Sequence, residues 1–163
     1  MDADTKRIQA MMLGHGFLVM IAGMLFGFLL GFSLLEAIDI WPFPAVAASI
    51  PGTPRGWAVA HTGSILNGLM VVAVALALPT LSLSLRAAKW VSWGLLFTAW
   101  GNVGFYAFGP LAPNRALSMG ANRFGEASLA GVFGFAPAFV AAILVLLSLG
   151  IAARAAFASA SAN

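Results

Sequence analysis

The chain has 163 residues, 61% of them hydrophobic and only 8% charged, with a mean hydropathy of +0.98. So few charges cannot cover a water-solvated domain of this length, so the composition points to a bilayer as solvent. The formal charge of +3 does not imply nucleic acid, because the eight Lys and Arg residues are scattered, and the absence of cysteine removes disulfides, thiolate nucleophiles, thiolate-held iron–sulfur clusters and covalent c-type haem.

A crossing helix needs about 20 apolar residues. The length therefore predicts one all-α domain of four transmembrane helices, an integral membrane four-helix bundle. The first helix is expected over 11–35. Asp2 and Asp4 dilute the basic pair Lys6 and Arg7, the apolar run is long and no small-residue cleavage site follows, so this segment reads as a membrane helix and not a signal peptide. Gly27 and Gly31 within it have the small-x-x-x-small spacing that lets helices approach closely. A loop rich in Pro and Trp follows, from Glu36 to Trp57. The second and third helices are expected over 58–83 and 88–108, joined by a short turn. A second loop, Gly109 to Ala127, contains Asn114, Arg115, Asn122 and Arg123. The fourth helix is expected over 128–153, bent at Pro137, with a frayed polar tail over 154–163.

Four crossings place both termini on one side. That side carries Lys6, Arg7, Arg86, Lys89 and Arg154; the other carries Arg55, Arg115 and Arg123, offset by Glu36, Asp39 and Glu126. The basic excess predicts cytoplasmic termini.

Polar residues inside apolar segments carry the functional information, since such groups are costly at membrane depth without a partner, cavity or ligand. His61 and Asn67 lie in the second segment, and Asn102 and Tyr106 in the third. If the connecting turn centres between Ser84 and Leu85, Asn67 falls opposite Asn102 and His61 within a turn of Tyr106. The four then occupy one half of the membrane, at the non-cytoplasmic end. Asn102 and Tyr106 share a helix face. His61 and Asn67 are about 120° apart around their axis. Gly63, Ser64 and Gly68 leave the second helix with little bulk, so something flat, or a neighbouring helix, could lie against it. His15 is expected near the start of its helix, at the opposite end of the membrane, in a structural role.

Each residue also has a plainer explanation. His61 could be an interfacial histidine bonded to a backbone carbonyl, the asparagines interhelical glue, Tyr106 an aromatic-belt residue, and Arg115 and Arg123 surface charges. Their coincidence in one leaflet favours a site. The apolar segments offer no acid as proton carrier, no carboxylate pair, no Ser-His-Asp arrangement, no phosphate loop and no zinc-ligand cluster. One histidine with neutral hydrogen-bonding neighbours suits a single axial haem ligand with an open sixth position able to act as a Lewis acid. Arg115 and Arg123 are placed to pair with haem propionates.

The stretches Gly14-His15-Gly16, Pro51-Gly52-Thr53-Pro54-Arg55-Gly56-Trp57, Ala60-His61-Thr62-Gly63-Ser64-Ile65-Leu66-Asn67-Gly68, Trp100-Gly101-Asn102-Val103-Gly104-Phe105-Tyr106, Pro113-Asn114-Arg115 and Asn122-Arg123-Phe124-Gly125 occur in one order across most of the chain. Together they resemble the styrene oxide isomerases, small membrane enzymes of bacterial styrene degradation. The resemblance implies a trimer in the bacterial inner membrane that holds haem b near subunit boundaries and converts aryl epoxides to aldehydes without net redox change. On this sequence it implies His61 as axial ligand of a ferric haem, and Asn67 and Tyr106 as groups that hold and polarise the epoxide before a 1,2-hydride shift. The sequence departs from that pattern at Thr98, where the family has a carboxylate. Phe97, Trp100, Phe105 and Phe108 are the expected aromatic lining. Two other readings remain: a non-catalytic membrane subunit that binds a partner helix through the same amides, and a b-type haem electron carrier, which the shortage of paired histidines disfavours.

Overall fold

The computed structural model describes residues 3–161, most of them in four helices: α1 (Ala3–Leu35), α2 (Pro54–Ala77), α3 (Leu85–Phe108) and α4 (Leu129–Ser161). The first connection carries a small antiparallel ribbon of β1 (Ala37–Ile38) and β2 (Val46–Ala47). Short 3-10 turns, Leu78–Thr80 and Gly109–Leu111, follow α2 and α3. Hydroxyl caps set three helix starts. Thr53 Oγ1 accepts from Gly56 N–H at 3.1 Å, Ser84 Oγ from Ala87 N–H at 3.3 Å, and Ser128 Oγ from Gly131 N–H at 3.0 Å. Pro54 fills the first turn of α2, where its missing N–H costs nothing.

Three helices are long and apolar enough to cross a membrane: α1, α2 with its 3-10 extension (Pro54–Thr80), and α4. α1 and α4 have 33 residues each, about 50 Å at the helical rise, which overshoots a hydrocarbon layer of about 30 Å. The sequence boundaries differ from the structure at this overshoot and at the second helix, expected over 58–83 but found over Pro54–Ala77, with Pro79 in the 3-10 turn that ends it. α1 already begins at Ala3, and the tail expected to fray is helical to Ser161. Alanines dominate that last stretch and favour helix. Ser159 Oγ also lies 3.0 Å from the Ala155 carbonyl and 3.1 Å from Ser82 Oγ, tying the end of α4 to the α2–α3 turn.

α3 is less apolar because Trp, Gly, Thr and Asn interrupt it, yet it is the most enclosed helix. Nine of its residues are buried, against five in α1, six in α2 and five in α4. α1 pairs extensively with α2, α3 lies against both, and α4 packs on α3 with little contact to the first pair. Met12, Val19, Val71, Ala75, Val91 and Leu95 form the centre of the core.

Small residues let the backbones approach. A Cβ on Gly68 would lie 2.7 Å from the Gly16 carbonyl, and one on Gly23 would lie 3.0 Å from Ile65 N. The glycine spacing expected at Gly27 and Gly31 is therefore displaced along the helix: Gly31 meets nothing, whereas Gly16, Gly23 and Gly27 all face α2. Between α3 and α4, Gly94 faces Ser148, and Gly101 faces the Pro137 carbonyl and Ala141. α4 runs unbroken through Pro137. The outer faces of α1 and α4 expose Phe17, Leu25, Phe28, Phe139 and Leu146, as lipid-solvated helices do.

Candidate functional site

His61 sits on the α2 face that meets α1. Its Nδ1 lies 2.9 Å from the Gly23 carbonyl oxygen. A carbonyl only accepts, so Nδ1 carries the hydrogen and Nε2 keeps its lone pair. Among the described residues Nε2 has no hydrogen-bond partner. The ring has room because Gly27 has no side chain: a Cβ there would come within 2.8 Å of Nδ1 and 3.0 Å of Cε1. The carbonyl bond anticipated by the plainer explanation of His61 is thus present. It is also the bond that fixes the tautomer and orientation of a metal-ligating imidazole.

On the opposite side of α2, Asn67 turns toward α3. Asn102 Nδ2 donates to Asn67 Oδ1 at 2.9 Å, at the level that the antiparallel register predicted. Asn67 Nδ2 donates to the Gly63 carbonyl at 2.8 Å and lies 3.5 Å from the Tyr106 hydroxyl oxygen. The result is a chain from Asn102 through Asn67 to Tyr106, with the phenol's own hydrogen uncommitted among the described residues. The flat object against α2 is the Tyr106 ring, which covers Gly63 so closely that a Cβ there would overlap it. Asn67, Asn102 and Tyr106 are brought together; His61 is on the same helix but bonds α1 instead.

Arg115 and Arg123 lie in the loop between α3 and α4. Their guanidinium carbons stand 4.2 and 4.6 Å from the centroid of the Phe124 ring, a double cation–π contact. The neighbouring asparagines shape the loop. Asn114 is fully buried and donates to the Ser118 and Gly120 carbonyls at 3.0 and 2.9 Å, while Asn122 Nδ2 donates to the Asn114 carbonyl at 3.0 Å. The loop docks on the start of α2, where Gly52 (φ +96°) and Gly56 pack on Pro110 and Trp57 Nε1 donates to the Pro51 carbonyl at 3.0 Å. The proline–tryptophan stretch before α2 thus holds the arginine loop at the His61 end of the molecule.

His15 differs from expectation. Because α1 starts at Ala3, this residue is three turns inside the helix and not at its beginning. Trp100 Nε1–H donates to His15 Nδ1 at 3.2 Å. Indole only donates, so here Nε2 carries the hydrogen, the reverse of His61. Thr98 also finds a place of its own. It is buried, and its hydroxyl lies 2.8 Å from the Gly94 carbonyl and 3.0 Å from the Ala141 carbonyl, in the α3–α4 seam. The aromatic side chains do not close into one lining: Phe97 and Trp100 are exposed, and Phe108 meets Phe133 with ring centroids 5.8 Å apart and planes tilted by 40°. The sequence marks Gly27 and Gly63 as small residues but does not give what they face: Gly27 borders the His61 ring and Gly63 the Tyr106 ring, while Gly23 lies against Ile65 and the His61 carbonyl.

A sequence model of the styrene oxide isomerases matches residues 8–157, from the second turn of α1 to near the end of α4. The chain belongs to the styrene oxide isomerase family. It is 37% identical over 140 residues to the styrene-oxide isomerase of Pseudomonas fluorescens, an alignment covering 86% of this chain and 83% of that protein. As a member of an isomerase family it contains, among the described residues, no cluster of three His, Asp or Glu side chains able to hold a metal ion. In this member of the family, His61 Nε2 keeps a lone pair and the Tyr106 O–H keeps its hydrogen free of any partner among the described residues.

Proposed function

We propose that this protein isomerises aryl epoxides of the styrene oxide type to arylacetaldehydes within a membrane. The single observation carrying the reading is the Asn102–Asn67–Tyr106 chain, which delivers an uncommitted phenolic O–H to an apolar interior in a family whose relative is named a styrene-oxide isomerase. The reaction is balanced without any co-reactant. The benzylic C–O bond breaks, a hydrogen with its electron pair moves from the terminal to the benzylic carbon, and a C=O bond forms at the terminal carbon.

Tyr106 holds the epoxide oxygen through its O–H and disperses the charge that grows there. Asn67 Nδ2, 3.5 Å from the phenol oxygen, moves in to stabilise it as that hydrogen is shared. Asn102 fixes which edge of the Asn67 amide faces the phenol, because its Nδ2 needs the Asn67 oxygen as acceptor. The apolar surroundings exclude water, which would otherwise open the epoxide to a diol.

The donor set also fits haem b. His61 presents a bare Nε2 behind a carbonyl-held Nδ1, Gly27 leaves the ring space, and Arg115 and Arg123 have no carboxylate partner among the described residues. A ferric haem b bound through His61, with its propionates on those arginines, would supply a Lewis acid toward the epoxide oxygen. An electron carrier that clamps one iron between His15 and His61 is disfavoured. His61 is level with Gly23 and Gly27, eight to twelve residues beyond His15 along α1, about 12–18 Å.

In this proposal α3 is a fourth crossing, sheltered by its neighbours, and both termini face the cytoplasm of a bacterial inner membrane. The one-sided attachment of α4 to α3 supports a homo-oligomer, taken here as a trimer. The non-catalytic alternative rests on the Asn102–Asn67 bond, which can serve as plain helix glue. Purified protein from haem-replete cells decides between them. The expected result is a Soret band together with conversion of styrene oxide to phenylacetaldehyde; a colourless, correctly assembled and inactive preparation overturns the proposal.

A further inference from the structure

The end of the molecule opposite Arg115 and Arg123 has a different electrostatic character. Gln9 Nε2 donates to the Ala75 carbonyl at 2.9 Å, which brings the start of α1 beside the α2–α3 turn. Lys6, Arg7, Arg86, Lys89 and Arg154 therefore gather at one end, accompanied among the described acidic residues by Asp4 alone. Arg86, Lys89 and Arg154 are exposed, and among the described residues none of them has a hydrogen bond, ion pair or ring contact.

Two grooves open beside them. One, of about 610 Å³, is lined by Leu85, Arg86, Lys89, Trp90 and Trp93. The other, of about 430 Å³, lies between α3 and the last turns of α4 and includes Ser82, Arg86, Trp90, Ile151 and Arg154. Arg86 and Trp90 belong to both, so they form the ridge between adjoining hollows. Trp90 and Trp93 are 64% and 62% exposed, and indoles at this level of a membrane protein sit among headgroups.

We propose that this double groove is a binding site for an anionic phospholipid. Its phosphate would sit against Arg86, with Lys89 or Arg154 closing one side, and its acyl chains would run down past Trp90 and Trp93. The argument is charge complementarity. Three unneutralised cations border apolar hollows, and a diacyl phosphate offers both the anion and the chains. A zwitterionic lipid fills the hollows but carries its own ammonium to the same cations. The inference is independent of any cofactor on His61.

The test uses the full chain in a mild neutral detergent. Thermal unfolding is followed with added phosphatidylglycerol, phosphatidylcholine or inorganic phosphate, and retained lipid is counted by native mass spectrometry. Phosphatidylglycerol is expected to raise the midpoint by several degrees more than phosphatidylcholine, and to remain bound at least fivefold more often. The double variant R86Q/R154Q is expected to erase that difference while eluting as the parent does; K89Q, a single change at an exposed position, should halve it. Equal effects of the two lipids, or an undiminished preference in R86Q/R154Q and K89Q, overturn the proposal. A full shift with inorganic phosphate alone overturns the lipid assignment in favour of a free-anion site.

Discussion

Asn102 on α3 donates a 2.9 Å hydrogen bond to the side-chain oxygen of Asn67 on α2, and this bond decides which edge of the Asn67 amide meets Tyr106. Replacing Asn102 by leucine leaves that oxygen without its donor. We expect about 0.5–2 kcal/mol of lost stability, the range for interhelical side-chain bonds in membranes. Turnover should fall by about tenfold, because a freed amide can present its oxygen to the phenol instead. Stability loss with unchanged turnover per folded molecule would make the bond structural glue alone.

Tyr106→Phe tests the phenolic O–H directly. The ring still covers Gly63, so folding and any bound chromophore should be retained. Turnover should drop by about a hundredfold, the lower range for a positioned proton donor. Steady-state assay with styrene oxide, alongside the optical spectrum, separates the two quantities. Full activity would remove Tyr106 from the mechanism.

Gly63→Ala examines the same site from the other helix. Its added Cβ overlaps the Tyr106 ring, which must tilt or withdraw, and a displacement of about 1 Å at a reacting group costs about a hundredfold in rate. Gly31→Ala is the matched control, since a Cβ there meets nothing. Similar activities for the two variants would show that the ring position does not matter.

His61→Ala should abolish the Soret band, and Gly27→Val should weaken or shift it by pressing on the imidazole from α1. His15→Ala should leave the band in place. The absorption spectrum of each purified variant checks all three, and bleaching by His15→Ala alone would reassign the ligand.

Thr98→Val deletes a hydroxyl that lies between the Gly94 and Ala141 carbonyls. About 1 kcal/mol of stability should be lost, as for a typical buried hydrogen bond. Turnover should be unchanged, because the group points into the α3–α4 seam. A loss of turnover without a loss of stability would move Thr98 into the site.

The helices and the meeting of Asn67 with Asn102 were legible because hydropathy and a fixed rise per residue are properties of the chain itself. Helix ends were not: the window that detects a membrane span ignores polar turns that continue a helix into the headgroups, so it begins α1 late and sets His15 at the helix start. A main-chain acceptor for His61 was legible, but which carbonyl it meets, and the partners of His15 and Thr98, were hidden because each depends on rotation between helices, which one sequence does not encode locally. Their bonds go to an indole, or to main-chain oxygens at Gly23, Gly94 and Ala141, groups that carry no signature in a side-chain pattern.

The ring of Tyr106 rests on naked main chain at Gly63, so one wall of its seat is α2 backbone, which cannot change rotamer. That wall offers an engineer no slack. Accepting bulkier epoxides will require carving elsewhere, and libraries that randomise position 63 along with its polar neighbours will spend most of their members on misaligned phenols.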